Sequence, residues 1–348
     1  MTLHTDLPPP LPQRLSGGAD DFARRGGQLR VSLTPRCQLG CWFCHNEGEV
    51  PPRITHHDRT IQPRRRAMGA DDFLSAINAM TGAGIRRVFF TGGEPLLSPL
   101  ARPILEGLPA HRMSEYTTTL ITNGLSLTKD LDWLSATALD RIKVSLHYFS
   151  DASIAAIAEG KPGDIAKIKA GIEAAIDRIP IVELNLLLQE QNAHEVMDII
   201  AYARDTGTGL QIIELVDTDH NHGLGGAKIP SGDISAHLRS IATTEKVVTS
   251  GTGQGRRVFT VPGRDGAMTI EVIDAALGRH SVGQCGTCPA RSQCIEGFWA
   301  LRLDSAGALS PCLLRPDLRL DITQHAGDQA TLLAAVSAHL DAFTEGTL

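Results

Sequence analysis

The chain has 348 residues, 42% of them apolar, and a formal net charge of -6. That allows one large domain, or a large one with a small one, around an ordinary core. The acidic balance argues against a general nucleic-acid or membrane binder. No run is long and apolar enough to span a bilayer. The Pro-rich start, residues 1–13, lacks the apolar stretch of a signal peptide, and Arg24-Arg25 has none behind it, so a cytoplasmic protein is expected.

Residues 1–23 are rich in Pro, Gly and polar side chains, which predicts a poorly ordered segment reaching to about residue 27. Residues 29–34 alternate apolar and polar, a strand pattern. Cys37, Cys41 and Cys44 follow at once, three thiols within eight residues. Residues 50–68 hold three prolines and the basic or imidazole side chains Arg53, His56, His57, Arg59, Arg64, Arg65 and Arg66, and have no period, so they read as an extended loop. Regular structure is then expected. A helix is predicted over 70–83, with Asp71 and Asp72 suiting its first turn. Val88-Phe89-Phe90 is a strand ended by Thr91-Gly92-Gly93-Glu94-Pro95. Further helices are predicted over 100–108, 129–138, 164–178 and 193–205, and further strands over 117–122, 141–147, 181–188 and 210–216.

Six strands alternating with helices over 29–216 imply a parallel sheet with right-handed crossovers. A closed barrel needs two more units, and the pattern offers none. The fold expected is α/β, a partial (β/α)6 barrel of the TIM type over 28–217, open on one side. The strand ends carry the chemically unusual residues, and sites of parallel α/β folds form at that edge.

Beyond Asp217 the texture changes. His220-Asn221-His222 lies in a Gly-rich connection. A short helix is predicted over 234–241 and a hairpin over 258–261 and 268–273. Cys285, Cys288, Cys294 and Cys312 then complete the seven cysteines of the chain. This predicts a smaller C-terminal unit, 218–348, with its own metal centre and a closing amphipathic helix over 329–343.

Clustered cysteines in a cytosolic chain point to metal rather than disulfides. The first group, Cys-x3-Cys-x2-Cys, has three soft ligands. A tetrahedral zinc site needs four, with His45 the available fourth. A cubane iron–sulfur cluster on three thiolates leaves one iron open to another ligand. Leu39, Trp42 and Phe43 supply apolar cover for such a cluster. The second group has four thiolates, enough to close a 4Fe–4S cluster or to hold zinc.

Cys37, Cys41 and Cys44, with Phe43 before the third, and Gly92-Gly93-Glu94-Pro95 after the next strand, resemble the radical S-adenosylmethionine (SAM) superfamily. The resemblance implies a 4Fe–4S cluster whose open iron binds SAM, and a 5′-deoxyadenosyl radical that abstracts hydrogen from a substrate. It implies SAM contacts from Phe43, Gly92, Gly93, Glu94, Thr122, Ser145, Asn185 and Val216. Glu94 or nearby carbonyls would accept from the methionine ammonium, Ser145 would donate to its carboxylate, and Asn185 would reach the ribose. The plainer alternatives are a strand–helix turn for the glycines and satisfied barrel polar groups for Ser145 and Asn185. An external reductant such as flavodoxin or ferredoxin is implied as a partner.

Arg30-Val-Ser-Leu-Thr34, Asn46-Glu47-Gly48, Ile121-Thr-Asn-Gly124, Lys143-Val-Ser-Leu146, Ile213-Glu-Leu215 and Leu301 to Cys312 are similar to the molybdopterin-pathway GTP 3′,8-cyclase family. That family implies a second cluster in the C-terminal domain. Arg30 and Arg302 keep two of its substrate-binding cations. Phe89, Glu183 and Ala300 stand where basic residues are expected, and the C-terminal glycine pair is replaced by Gly346-Thr347-Leu348. Glu183 beside a triphosphate would be repulsive, so the expected substrate is a small anionic molecule other than GTP, such as a nucleotide or nucleotide sugar. Cys294 is additional to the family's three, which resembles the four-cysteine auxiliary-cluster (SPASM-like) domains of other radical SAM enzymes and predicts a closed second cluster. A peptide maturase, or a non-catalytic iron–sulfur or zinc protein, are the competing readings.

Overall fold

The computed structural model describes residues 18–45, 47, 49, 68–215, 229–249, 254–289, 291, 294, 296–315, 317–325 and 327–348. The basic loop 53–66, His220 and His222 lie outside these residues.

In chain order the elements are α1 (Ala19–Arg24), β1 (Gln28–Ser32), α2 (Ala70–Gly82), β2 (Arg87–Thr91), α3 (Ala101–Glu106), β3 (Thr117–Thr122), α4 (Leu127–Leu134), β4 (Arg141–Ser145), α5 (Asp151–Ala158), α6 (Asp164–Ile176), β5 (Ile181–Leu188), α7 (Val196–Thr206) and β6 (Gly209–Glu214). There follow α8 (Gly232–Ile241), β7 (Thr244–Val248), β8 (Arg256–Gly263), β9 (Gly266–Ile273), α9 (Gly283–Gly286), β10 (Ala300–Leu303), β11 (Ala308–Ser310), β12 (Leu320–Asp321) and α10 (Gln329–Glu345).

Among the described residues twelve strands form one sheet, in the order β12-β11-β10-β1-β2-β3-β4-β5-β6-β9-β8-β7. The six strands read from the sequence are its centre, each parallel to the next. The partial barrel of six units is present, and two further strands join it in parallel. β10 pairs parallel with β1, and β9 pairs parallel with β6. Both come from the C-terminal region, so that region extends the barrel sheet at its two edges. β8 and β9 form the hairpin predicted over 258–273; that β9 also pairs with β6, and the four-residue β10 with β1, follows no βα repeat, so the alternation gives no sign of these pairings. The sheet curls: Arg87 on β2 interacts electrostatically with Arg256 on β8 and Glu271 on β9, far along the strand order.

Strand alternation sorts residues between the helix-covered face and the lumen. On β5, Val182, Leu184, Leu186 and Leu188 are buried under helices, while Ile181, Glu183, Asn185 and Leu187 are half-buried on the other face. The helical face is lined by Leu29, Val31, Val88, Phe90, Ile142, Val144 and Ile212, all buried. α6 covers it with Ile165, Ile168 and Ile172, the period expected of an amphipathic helix.

The N-terminal expectation is corrected as well. Residues 19–24 form α1, with Ala19, Phe22 and Ala23 buried. Phe22 packs on Phe298 at 5.2 Å, and Phe298 on Phe343 of α10 at 5.1 Å. These partners are some 275 residues or more away in sequence, so composition alone misjudges the segment. α10 matches its predicted place. Asp328 caps it, accepting from the N–H groups of Ala330 and Thr331, both at 3.1 Å. Leu332, Val336, Leu340 and Phe343 form its buried stripe, each contributing about 1.5–3 kcal/mol.

Among the described residues no helix is long and apolar enough to cross a membrane.

Candidate functional site

The first cysteine loop leaves β1 at the carboxyl edge of the sheet and is tied on three sides. Gly40 and Trp42 donate their N–H groups to the carbonyls of Ala158 and Ile157, at 2.8 and 3.2 Å. Those carbonyls end α5, a helix that the sequence pattern does not reveal because alanines blur its period. Serine capping starts it: Ser150 Oγ accepts from Ser153 N–H at 3.1 Å.

The second tie is the turn after β2. Gly93 N–H donates to the Thr34 carbonyl and Glu94 N–H to the Arg36 carbonyl, both at 2.7 Å. A Cβ on Gly92 would lie 2.4 Å from Thr34 O, and one on Gly93 2.2 Å from Arg36 O. Gly92 also has φ +136°, a conformation that glycine adopts freely. The glycines are therefore required by the cysteine loop's own backbone.

The third tie is Asn123, whose side-chain N–H points at Cys37 Sγ at 3.6 Å, beside the Leu39 N–H at 3.4 Å. Glu94 organises this corner. It is 1% exposed. Its carboxylate accepts from the Thr122 hydroxyl at 2.7 Å, Asn123 N–H at 2.7 Å and Leu96 N–H at 3.2 Å. Burial pushes its pKa up to about 7 against these bonds. Thr122 thus faces Glu94, and both serve the loop.

Ser145 and Asn185 are register partners on β4 and β5, with Gln211 next on β6. Asn185 Oδ1 is buried and has no hydrogen-bond partner among the described residues. Below them Glu183 pairs with Arg141 at 2.8 Å and Lys143 at 3.2 Å. Burial alone would raise its pKa, but the two cations hold it below the ordinary value. Phe43 packs edge-on against His147, centroids 5.2 Å apart. His147 Nδ1 accepts from Leu187 N–H at 2.9 Å, which puts the ring proton on Nε2. Burial lowers its pKa to about 4. Val216 lies outside the described residues.

Arg30 and Arg302, on neighbouring strands in register, are joined by one carboxylate. Glu47 Oε1 accepts from Arg30 Nε at 2.9 Å, and its Oε2 lies 3.2 Å from Arg302 Nε. Arg302 Nη2 also donates to Glu296 at 3.0 Å. Burial alone would raise the pKa of Glu47, but Arg30 and then Arg302 bring it down to about 2. Sequence reasoning found the arginines and passed over Glu47, Glu296, Asn123 and His147. Glu47 was visible as part of Asn46-Glu47-Gly48 and Asn123 as part of Ile121-Thr-Asn-Gly124; Glu296 and His147 carry no local signal.

Of the second group, Cys285 lies in α9 and Cys312 follows β11. Burial raises Cys312 to about 11, with the neighbouring Cys294 acting in the same direction. Arg315 is hydrogen-bonded to Asp317 at 2.6 Å and also to Cys288. Cys288, Cys294 and Cys312 thus share one neighbourhood. All seven thiols are free of disulfides. Among the described residues no three His, Cys, Asp or Glu side chains converge as a ready-made metal site. The donor chemistry of the first group, three thiols outside any disulfide with N–H donors aimed at the sulfur of Cys37, fits a thiolate-held iron–sulfur cluster.

A family model described as the radical SAM superfamily matches residues 31–203. The chain is similar to a probable GTP 3′,8-cyclase of Methanosarcina mazei, 30% identical over 308 residues, covering 87% of this chain and 82% of that one. A probable GTP 3′,8-cyclase of Methanococcus vannielii is 28% identical over 305 residues, covering 87% and 90%. Among solved structures, Streptococcus suis SuiB bound to S-adenosylmethionine superposes with a TM-score of 0.58 at 12% identity. That match covers 88% of this chain and 65% of the SuiB chain.

The chain belongs to the radical SAM superfamily, which implies SAM and a 4Fe–4S cluster. Within it, the two relatives above carry the name probable GTP 3′,8-cyclase and are similar over nearly nine-tenths of this chain.

Proposed function

We propose that this chain cleaves SAM reductively and uses the product to abstract hydrogen from a small molecule other than GTP. Cys37, Cys41 and Cys44 would hold the SAM-binding cluster. When bound, that cluster and SAM supply the electron and the 5′-deoxyadenosyl radical. The protein's part is placement. The glycine turn and the carbonyls of α5 fix the loop backbone. Asn123 and Leu39 direct N–H groups at Cys37. Phe43, Ser145, Asn185 and Val216 are proposed to line the SAM site, with the unpartnered Asn185 Oδ1 an acceptor for it. Gly92, Gly93, Glu94 and Thr122 are proposed to act mainly by building the loop that carries the cysteines.

Cys285, Cys288, Cys294 and Cys312 are proposed to close a second 4Fe–4S cluster with an electron-transfer or structural role and no direct ligation of substrate. Flavodoxin or ferredoxin would deliver the first electron. Cyclisation, rearrangement, decarboxylation or oxidation would follow hydrogen abstraction.

The observation that carries the substrate reading is Glu183. It lies in the lumen, ion-paired to Arg141 and Lys143, so cations that could meet a phosphate chain are already engaged. The test is anaerobic incubation with SAM, dithionite and GTP. The proposal expects SAM to be cleaved and GTP to be recovered intact. GTP consumption in step with SAM cleavage would overturn it.

A further inference from the structure

Arg30, Arg302, Glu47 and Glu296 form one charge-balanced group between the two cysteine-bearing regions. Their side chains are 17%, 6%, 6% and 10% exposed. Each guanidinium is also stacked: Arg30 over Phe89 at 5.6 Å, Arg302 over Trp299 at 5.9 Å. Two cations meet two carboxylates, and Glu47 bridges both arginines. A phosphate chain seeking these guanidinium groups must displace a carboxylate already hydrogen-bonded there, or bind beside it in a medium that screens poorly.

The same group has unused hydrogen-bonding capacity. Arg302 Nε and Glu47 Oε2 are close enough to attract, at 3.2 Å, but neither makes a hydrogen bond among the described residues. Trp299 Nε1, in the residue stacked on Arg302, is likewise buried and unpartnered. So is Nδ1 of His45, which lies in the field of Glu47, Glu296, Arg302 and Arg30. Buried polar atoms are rarely left without partners, and several together mark a place where a bound molecule completes the set. The set offers an N–H donor of Arg302 beside an acceptor oxygen of Glu47, with a further N–H donor on Trp299, the ring that Arg302 stacks on. Its complement is an acceptor beside a donor.

We propose that Glu47 is the specificity-determining residue of this site. It occupies Arg30 and Arg302 as a built-in counter-ion, excludes polyphosphate chains, and with Arg302 and Trp299 recognises an uncharged amide-type edge, such as a lactam, a carboxamide or the edge of a nucleobase. This rests on the reading that the wall between the two cysteine regions faces the substrate, and it narrows the anionic substrate expected from the arginines alone.

The test compares GTP with guanosine, which carries the same amide-type edge without phosphates. Binding is measured by equilibrium dialysis on the full-length chain with its clusters and SAM. The wild type should bind guanosine at least as tightly as GTP. Glu47→Gln should raise the GTP-to-guanosine affinity ratio tenfold or more. Glu47→Asp, which keeps the charge, should leave the ratio near the wild-type value. Glu296→Gln releases only Arg302; it should move the ratio in the same direction by less, and it serves if Glu47→Gln does not fold. A wild type that prefers GTP tenfold, an unchanged ratio in the Gln variants, or variants that bind neither ligand would overturn the proposal. Release of 5′-deoxyadenosine from SAM, assayed separately, reports on the radical SAM reading and not on this one.

Discussion

Gly93→Ala is the sharpest structural perturbation of the cysteine loop. The added Cβ would sit 2.2 Å from the Arg36 carbonyl oxygen, where real Cβ atoms keep at least about 3.0 Å. The obstacle is backbone, so no rotamer relieves it. Arg36 must retreat by the difference, about 0.8 Å. The hydrogen bonds from Gly93 to Thr34 and from Glu94 to Arg36, now 2.7 Å, would stretch to about 3.5 Å, outside useful range. Losing both, with two buried N–H groups stranded, costs about 2–4 kcal/mol. Urea unfolding of the metal-free protein, followed by circular dichroism, measures this. Iron retained after reconstitution should fall in parallel. Gly82→Ala is the control: it ends α2 with nothing within 4 Å of the new Cβ, and should stabilise by about 0.4–1 kcal/mol. Gly93→Ala within about 0.5 kcal/mol of wild type, with normal iron, would refute the docking account.

Three further outcomes follow from the site. Glu94 is an acid whose folded pKa, about 7, is raised above its ordinary 4.5. The folded state therefore holds that proton more tightly, and its stabilising contribution, present below the ordinary value, is lost as pH rises through about 7. That loss is on the order of 3 kcal/mol. Urea midpoints between pH 5 and pH 8 should slope downward, and Glu94→Gln should flatten the slope; an unchanged slope assigns it elsewhere. Glu183→Gln leaves the buried Lys143 and the partly exposed Arg141 without their carboxylate and should cost about 1–3 kcal/mol in the same assay; a cost near zero would mean that the lumen solvates them. Cys294→Ala should lower iron content and impair substrate turnover while SAM cleavage persists. Wild-type iron and turnover in that variant would sink the closed second cluster.

The central barrel was legible because its six strands and the helices other than α5 keep readable periods, and β3 and β5 have the boundaries that the pattern implies. The first cysteine loop was legible as a candidate metal site because three thiols in eight residues match a ligand spacing and not a helix or strand period. What stayed hidden depends on distant partners. α1 is ordered by Phe298 and Phe343, at the other end of the chain. β9 and β10 join the parallel sheet through pairing that no local period encodes. Arg30 and Arg302 were readable as cations beside the site, but their neutralisation is a contact among four segments. The sequence supports a function for the glycine turn by analogy; the structure supplies its physical reason, the closeness of the Thr34 and Arg36 backbone.

The most direct test of the account is reductive cleavage of SAM by the reconstituted protein under dithionite. The account predicts that the wild type releases 5′-deoxyadenosine and that Cys41→Ala, left with two thiolates in the first group, releases none. No 5′-deoxyadenosine from iron-loaded wild type, or equal release by Cys41→Ala, would contradict it.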